Sequence, residues 1–162
     1  MSSDAHAAYA RDRQHALRKD ARRKDSELVA ALGSLALFSL CSRRELKQVA
    51  KAARIRSVRA GTTIIVEGEH ESSMFVIVTG GCDVRRANRK IATLGSGDVV
   101  GELAAFGKAP RSATVVTRTD CDIAVISKRD VYKLIEDAPG FSRKLLESLA
   151  NRVRELDRQL VC

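Results

Sequence analysis

Between Arg54 and Ile126 the chain breaks into short β-rich runs parted by glycine, asparagine and aspartate, and this constrains the fold most. Around Arg54 the apolar period switches from helical to two. Thr62 to Glu67 is rich in β-branched residues and is stopped by Gly68. Met74 to Val78 is apolar at every position, as suits a strand covered on both faces. Gly80-Gly81 turns the chain into Cys82–Arg86, and Ala87-Asn88-Arg89-Lys90 reads as a polar hairpin tip before Ile91–Leu94. Gly95-Ser96-Gly97-Asp98 is a further turn, and Ala113–Arg118 and Cys121–Ile126 add two strands. About eight short strands at this spacing predict a jelly-roll or β-roll over about residues 54–126.

Helical segments frame it. Ser26 is read as the cap of a helix carrying Leu28, Val29, Leu32 and Leu35, with Gly33 as a break. Ser42-Arg43-Arg44-Glu45 is a capping box that opens a helix through Leu46, Val49 and Ala53. Ser127 caps a helix with Val131, Leu134 and Ile135 that stops near Pro139-Gly140. A last helix is expected from about Phe141. Its Leu146, Leu149, Val153, Leu156 and Leu160 recur at steps of 3, 4, 3 and 4, an a/d seam that fits either a dimer or packing on the chain's own barrel. Residues 1–25 are polar and rich in Arg, Lys and Ala, and are read as a basic extension, partly helical or disordered. Residues 26–162 are expected to form one domain, with C-terminal helices over about 127–160.

The stretch Gly101-Glu102-Leu103-Ala104-Ala105-Phe106-Gly107-Lys108-Ala109-Pro110-Arg111-Ser112-Ala113 concentrates the chemistry. Gly101 permits close backbone approach. Leu103–Phe106 can form one helical turn, whose first N–H groups lack internal partners and suit an anion. Pro110 holds Ala109 extended and aims Arg111, whose planar fork of donors matches a phosphate. Glu102 accepts hydrogen bonds only, which suits a ribose hydroxyl. A phosphate beside a free ribose hydroxyl is a cyclic nucleotide.

The run GELAAFGKAPRSATV resembles the phosphate-binding cassette of cyclic nucleotide-binding domains, such as those of the catabolite activator protein and the cyclic-AMP-dependent kinase regulatory subunits. The resemblance extends from about Leu37 to Leu156 and implies a β-roll with an N-terminal helical bundle and C-terminal helices. It implies Glu102 on the ribose, Arg111 on the phosphate, and Gly101, Leu103, Ala104, Ser112 and Ala113 around the phosphate cradle. Ile91, Ala92, Val100, Arg152 and Leu156 fall at positions that face the base, although ordinary barrel core or a solvent-facing arginine are the competing readings. Ser112 fits cyclic AMP, with cyclic GMP second. In the catabolite activator protein, hydroxyls further along the last helix bind the adenine amine; here Leu156 and Asp157 stand there, so base selectivity is open.

Other classes are disfavoured. No P-loop or catalytic set occurs, so an enzyme is not expected. His6, His15 and His70 lack ligand spacing, and Cys41, Cys82, Cys121 and Cys162 form no C-x-x-C pair, so no metal site is expected and the thiols are read as free. No apolar run approaches ~20 residues, and the start has no apolar signal region, so a cytoplasmic protein without a membrane span is expected. With the sequence ending at Cys162, a helix-turn-helix after the last helix is not expected. The expected output is therefore in trans, on a protein partner that feels the helices. A formal net charge of +9 keeps nucleic acid as a secondary partner, through the basic arm, with a ligand-free dimer module as a further alternative.

Overall fold

The computed structural model describes residues 3–101 and 105–161. In chain order it contains α1 (Ser3–Gly33), a 3₁₀ turn (Ala36–Phe38), α2 (Arg43–Ala52), β1 (Arg54–Val58), β2 (Thr63–Ile65), β3 (Met74–Thr79), β4 (Cys82–Arg86), β5 (Arg89–Leu94), β6 (Val99–Val100), β7 (Thr114–Thr117), β8 (Cys121–Ile126), α3 (Lys128–Asp137) and α4 (Pro139–Val161). The strands form two antiparallel four-stranded sheets, in the orders β1-β8-β3-β6 and β2-β7-β4-β5. The expected β-roll framed by helices is thus the fold.

β3 shows why its sequence is apolar throughout. Side chains alternate across a strand. Met74, Val76 and Val78 pack into a core shared with the helices, while Phe75 and Ile77 pack into a second core between the sheets. β8 divides the same way, with Ala124 and Ile126 toward the helices and Cys121 and Ile123 toward the second sheet. Cys41, Cys82 and Cys121 are free thiols. Burial, with the neighbouring Cys121, pushes the Cys82 thiol up to about 12, so it is inert in this core.

Several boundaries differ from expectation, among them β5, which begins at Arg89, inside the hairpin tip expected over Ala87-Asn88-Arg89-Lys90. α1 runs without interruption through Ser26, which lies inside the helix rather than at its cap, because no glycine or proline occurs before Gly33. The strand expected over Thr62–Glu67 is cut to Thr63–Ile65, with a register shift against β7. The last helix begins at Pro139, where a residue without an N–H suits the first helical position.

One junction ties the N-terminal helices to the start of α4. The capping box at α2 is complete: Glu45 N donates to Ser42 Oγ at 3.2 Å, and Ser42 N donates to Glu45 Oε2 at 2.6 Å. The other carboxylate oxygen, Oε1, accepts from Gly140 N at 2.9 Å, so Glu45 also holds the first turn of α4. A Cβ at Gly140 would strike the Leu40 carbonyl and come within 2.9 Å of Cys41 Cα, so the backbones are in direct contact. Beside them the rings of Phe38 and Phe141 stack at 6.0 Å.

Candidate functional site

β6 pairs with β3 through Phe75 and Val100, and this delivers Gly101 to the Ser73 end of β3. Gly101 has φ +84°, and a Cβ there would collide with the Arg111 guanidinium and sit 2.9 Å from the Ser73 carbonyl. Glycine is therefore required on both conformational and steric grounds. The backbone N–H of Arg111 donates to Glu69 O at 2.8 Å, and Gly68 N donates to Arg111 O at 2.9 Å. These two bonds lock the cassette's end to the β2–β3 connection.

Arg111 is 4% exposed, one of only two buried polar or charged residues among those described. Its Nη1 donates to Gly101 O at 3.2 Å, and its Nη2 donates to Ser73 O at 2.7 Å and to Glu71 Oε2. The guanidinium lies over the Phe75 ring, 5.5 Å from its centroid. Burial raises the Glu71 pKa, but hydrogen bonds from Ser73 and the Arg111 charge outweigh it and leave the carboxyl below its usual range. A guanidinium has five donors. Those three bonds leave Nε, which is buried and has no partner among the described residues, and the second N–H of Nη1. A buried unpaired donor on a cation costs about 1–3 kcal/mol or more unless an acceptor meets it. An anionic oxygen is the kind of acceptor that such donors can meet.

Arg111 opens into a cavity of about 230 Å³ between the second sheet, β6 and α4. Ligand pockets usually run from ~300 Å³ upward, and this one is open to solvent on the side of Ile91, which is 51% exposed. Ile65, Val84, Leu94, Val100 and Val115 make an apolar floor, and Arg86, Arg111, Ser112 and Arg152 supply polar atoms. Arg86 Nε donates to Ser112 O at 3.1 Å, which fixes the segment after Arg111. Of the residues singled out in the sequence, Gly101, Arg111, Ser112, Ala113, Ile91, Ala92, Val100 and Arg152 come together on this one cavity. Leu156 does not: it is 59% exposed and absent from the lining, because α4 has passed the mouth by then. Glu102, Leu103 and Ala104 lie outside the described residues.

Sequence reasoning missed Glu71, Ser73 and Arg86. Glu71 stands 40 positions from Arg111 and carries no local motif. A strand-terminal arginine such as Arg86 reads as solvated surface. Among the described residues, no group of three His, Cys, Asp or Glu could hold a metal ion. Likewise, no described helix is long and apolar enough to cross a membrane.

The profile of the family described as "Cyclic nucleotide-binding domain" matches residues 55–138. The chain belongs to that family. Among proteins similar to this cyclic nucleotide-binding domain, the Pycsar effector protein XpPycTIR of Xanthomonas perforans is 32% identical over 130 residues, covering 79% of this chain and 42% of that protein. The cAMP-dependent protein kinase regulatory subunit of Colletotrichum orbiculare is 29% identical over 116 residues, covering 70% of this chain and 30% of the relative. The Catabolite Activator Protein of Thermus thermophilus superposes with a TM-score of 0.71 at 26% identity, covering 76% of this chain and 61% of that one. The chain therefore spans less than half the length of the curated relatives it matches.

Proposed function

We propose that this cyclic nucleotide-binding domain is a sensor whose ligand is cyclic AMP, and that it acts by binding rather than by catalysis. The observation that carries the reading is Arg111: a buried cation whose Nε has no partner among the described residues, at the wall of an apolar cavity. In this reading the cyclic phosphate meets Arg111, with backbone donors of Leu103 and Ala104 and the Ser112 hydroxyl beside it. Glu102 takes the ribose hydroxyl, and the base lies toward Ile91, Ala92, Val100 and Arg152. The name of the kinase regulatory subunit among the relatives supports cyclic AMP, with cyclic GMP as the second candidate.

The output in this proposal is a shift in the placement of α3 and α4. Two contacts support a mechanical link. Phe106, in the middle of the cassette, packs edge-on against Tyr132 of α3 at 6.0 Å, and Lys128 Nζ donates to Gly107 O at 3.4 Å. A ligand that reshapes the cassette therefore pushes on α3 and, through Ala138–Pro139, on α4. On α4 the side chains of Leu146, Val153, Leu156 and Leu160 are exposed on one face. This unpartnered a/d row supports a homodimer, or a protein partner in trans, as the element that reads the movement. Sedimentation equilibrium is expected to show a dimer. Charging the row, as Val153→Glu with Leu160→Glu, is expected to convert it to monomer. A wild-type monomer at about 100 µM would remove the homodimer.

The direct test of the ligand is thermal unfolding with cyclic AMP, cyclic GMP and 5′-AMP. A ligand bound only by the native state raises the melting temperature in proportion to the logarithm of its concentration. Cyclic AMP is expected to give the largest shift, and 5′-AMP, with its extra charge and open phosphate, little or none. Equal shifts with cyclic AMP and 5′-AMP, or none with either cyclic nucleotide, would refute the proposal.

A further inference from the structure

A second feature lies away from the nucleotide cavity. α1 and α2 enclose a groove of about 410 Å³ lined by Arg22, Arg43, Lys47 and Lys51, with Asp25 as its single carboxylate. Arg43, Lys47 and Lys51 follow one another at intervals of four, so they share one face of α2. None of the four cations is engaged in an ion pair among the described residues. Arg11 and Arg18, which precede Arg22 by eleven and four positions, extend the same row along α1. Asp12, Asp20 and Glu27 fall on the other sides of that helix. α1 is exposed over residues 10–27, so the row is accessible.

We propose that this groove binds the phosphate backbone of a double-stranded nucleic acid, without reading its sequence. Three observations select that partner. First, the cores of protein–protein interfaces are depleted of charge and enriched in aromatic residues. Here the charges line the groove itself and its apolar floor is only Val29 and Ala50. Second, single strands are held by aromatic stacking as well as charge, and the groove has no aromatic residue. Third, four residues of helix rise about 6 Å, close to the through-space distance of about 7 Å between adjacent phosphates of one strand, which rise about 3.4 Å per nucleotide while turning about the duplex axis. The cations of α2 can thus meet successive phosphates. None of the groove residues lines the nucleotide cavity, so the two sites are chemically independent.

The test is fluorescence anisotropy with a labelled duplex DNA of mixed sequence, titrated at several salt concentrations. Four neutralised phosphates predict a slope of log K against log salt of about −3 to −4. Lys47→Glu combined with Lys51→Glu is expected to weaken binding at least about tenfold and to flatten the slope by about 2. Arg85→Glu with Arg89→Glu makes the same change in net charge on the β4–β5 hairpin and is expected to preserve the slope. Circular-dichroism melting confirms that each variant is folded. Equal losses in both double variants would assign the binding to bulk charge and overturn the groove. So would absence of duplex binding at about 50 mM salt and about 10 µM protein. Tighter binding of poly-glutamate than of duplex would make the partner an acidic protein and overturn the choice of nucleic acid.

Discussion

Replacing Arg111 with alanine is expected to weaken cyclic AMP binding by about 2–5 kcal/mol, which is roughly 30-fold to several thousand-fold. The effect is large because the side chain is 4% exposed and already desolvated, so its charge acts on a ligand anion with little screening. It is also pre-oriented: Gly101 O, Ser73 O and Glu71 hold the guanidinium, so little conformational entropy is lost when a phosphate arrives. Arg111→Lys keeps the charge but loses the fork, and is expected to recover only part of the affinity. The fold should survive Arg111→Ala, because its ion-pair partner Glu71 is 47% exposed and can be solvated when left alone. Titration calorimetry reads the outcome. An unchanged affinity in Arg111→Ala would place the phosphate elsewhere and overturn the role given to Arg111.

The second large effect concerns Glu45. Removing its carboxylate deprives both Ser42 N and Gly140 N of an acceptor. Hydrogen bonds to a charged group contribute about 1.5–3 kcal/mol each when shielded. Glu45 is only partly buried, so solvent screening reduces this, and Glu45→Ala is expected to cost about 2 kcal/mol of stability in total. Its pKa is held below the ordinary glutamate value, first by the Ser42 backbone N–H, then by the Gly140 N–H, against an opposing contribution from burial. A depressed carboxylate stabilises the fold fully above the unfolded pKa of about 4.3, and that contribution is lost as pH falls through the folded value. The stability difference between the wild type and Glu45→Gln is therefore expected to be largest near neutrality and to shrink below about pH 4. Urea midpoints for both proteins across that range check it. A difference that is independent of pH would show that the carboxylate charge is not what holds α4.

Glu45 also illustrates how far local reading reaches. Ser42-Arg43-Arg44-Glu45 is a complete capping signal in four adjacent residues, and the structure forms it as expected. That the same carboxylate caps a helix 95 residues later has no local trace. It depends on α2, the Leu40–Cys41 backbone and Gly140 meeting face to face. The cassette divides in the same way. Gly101, Pro110, Arg111 and Ser112 stand close together in the chain, so their joint chemistry is legible in the sequence. The groups that hold Arg111 are not, because Ser73 and Glu71 reach it only through the pairing of β3 with β6. Leu156 lies outside the cavity lining, and helical spacing alone cannot tell where a helix leaves the wall of a cavity.

What the amino-acid order determined by itself is the succession of elements and the family. Strand and helix periods, turn glycines and caps are contacts among near neighbours, and the cassette is one unbroken run. What only the tertiary structure decided is which atoms those elements bring together. It decided the Ser73 carbonyl and the Glu71 carboxylate on Arg111, the double use of Glu45, and the alignment of Arg22 on α1 with the cations of α2. Each of these joins residues from separate elements, as far as 95 positions apart for Glu45 and Gly140. Their meeting is set by sheet register and helix packing across the whole core, which no short window of sequence contains.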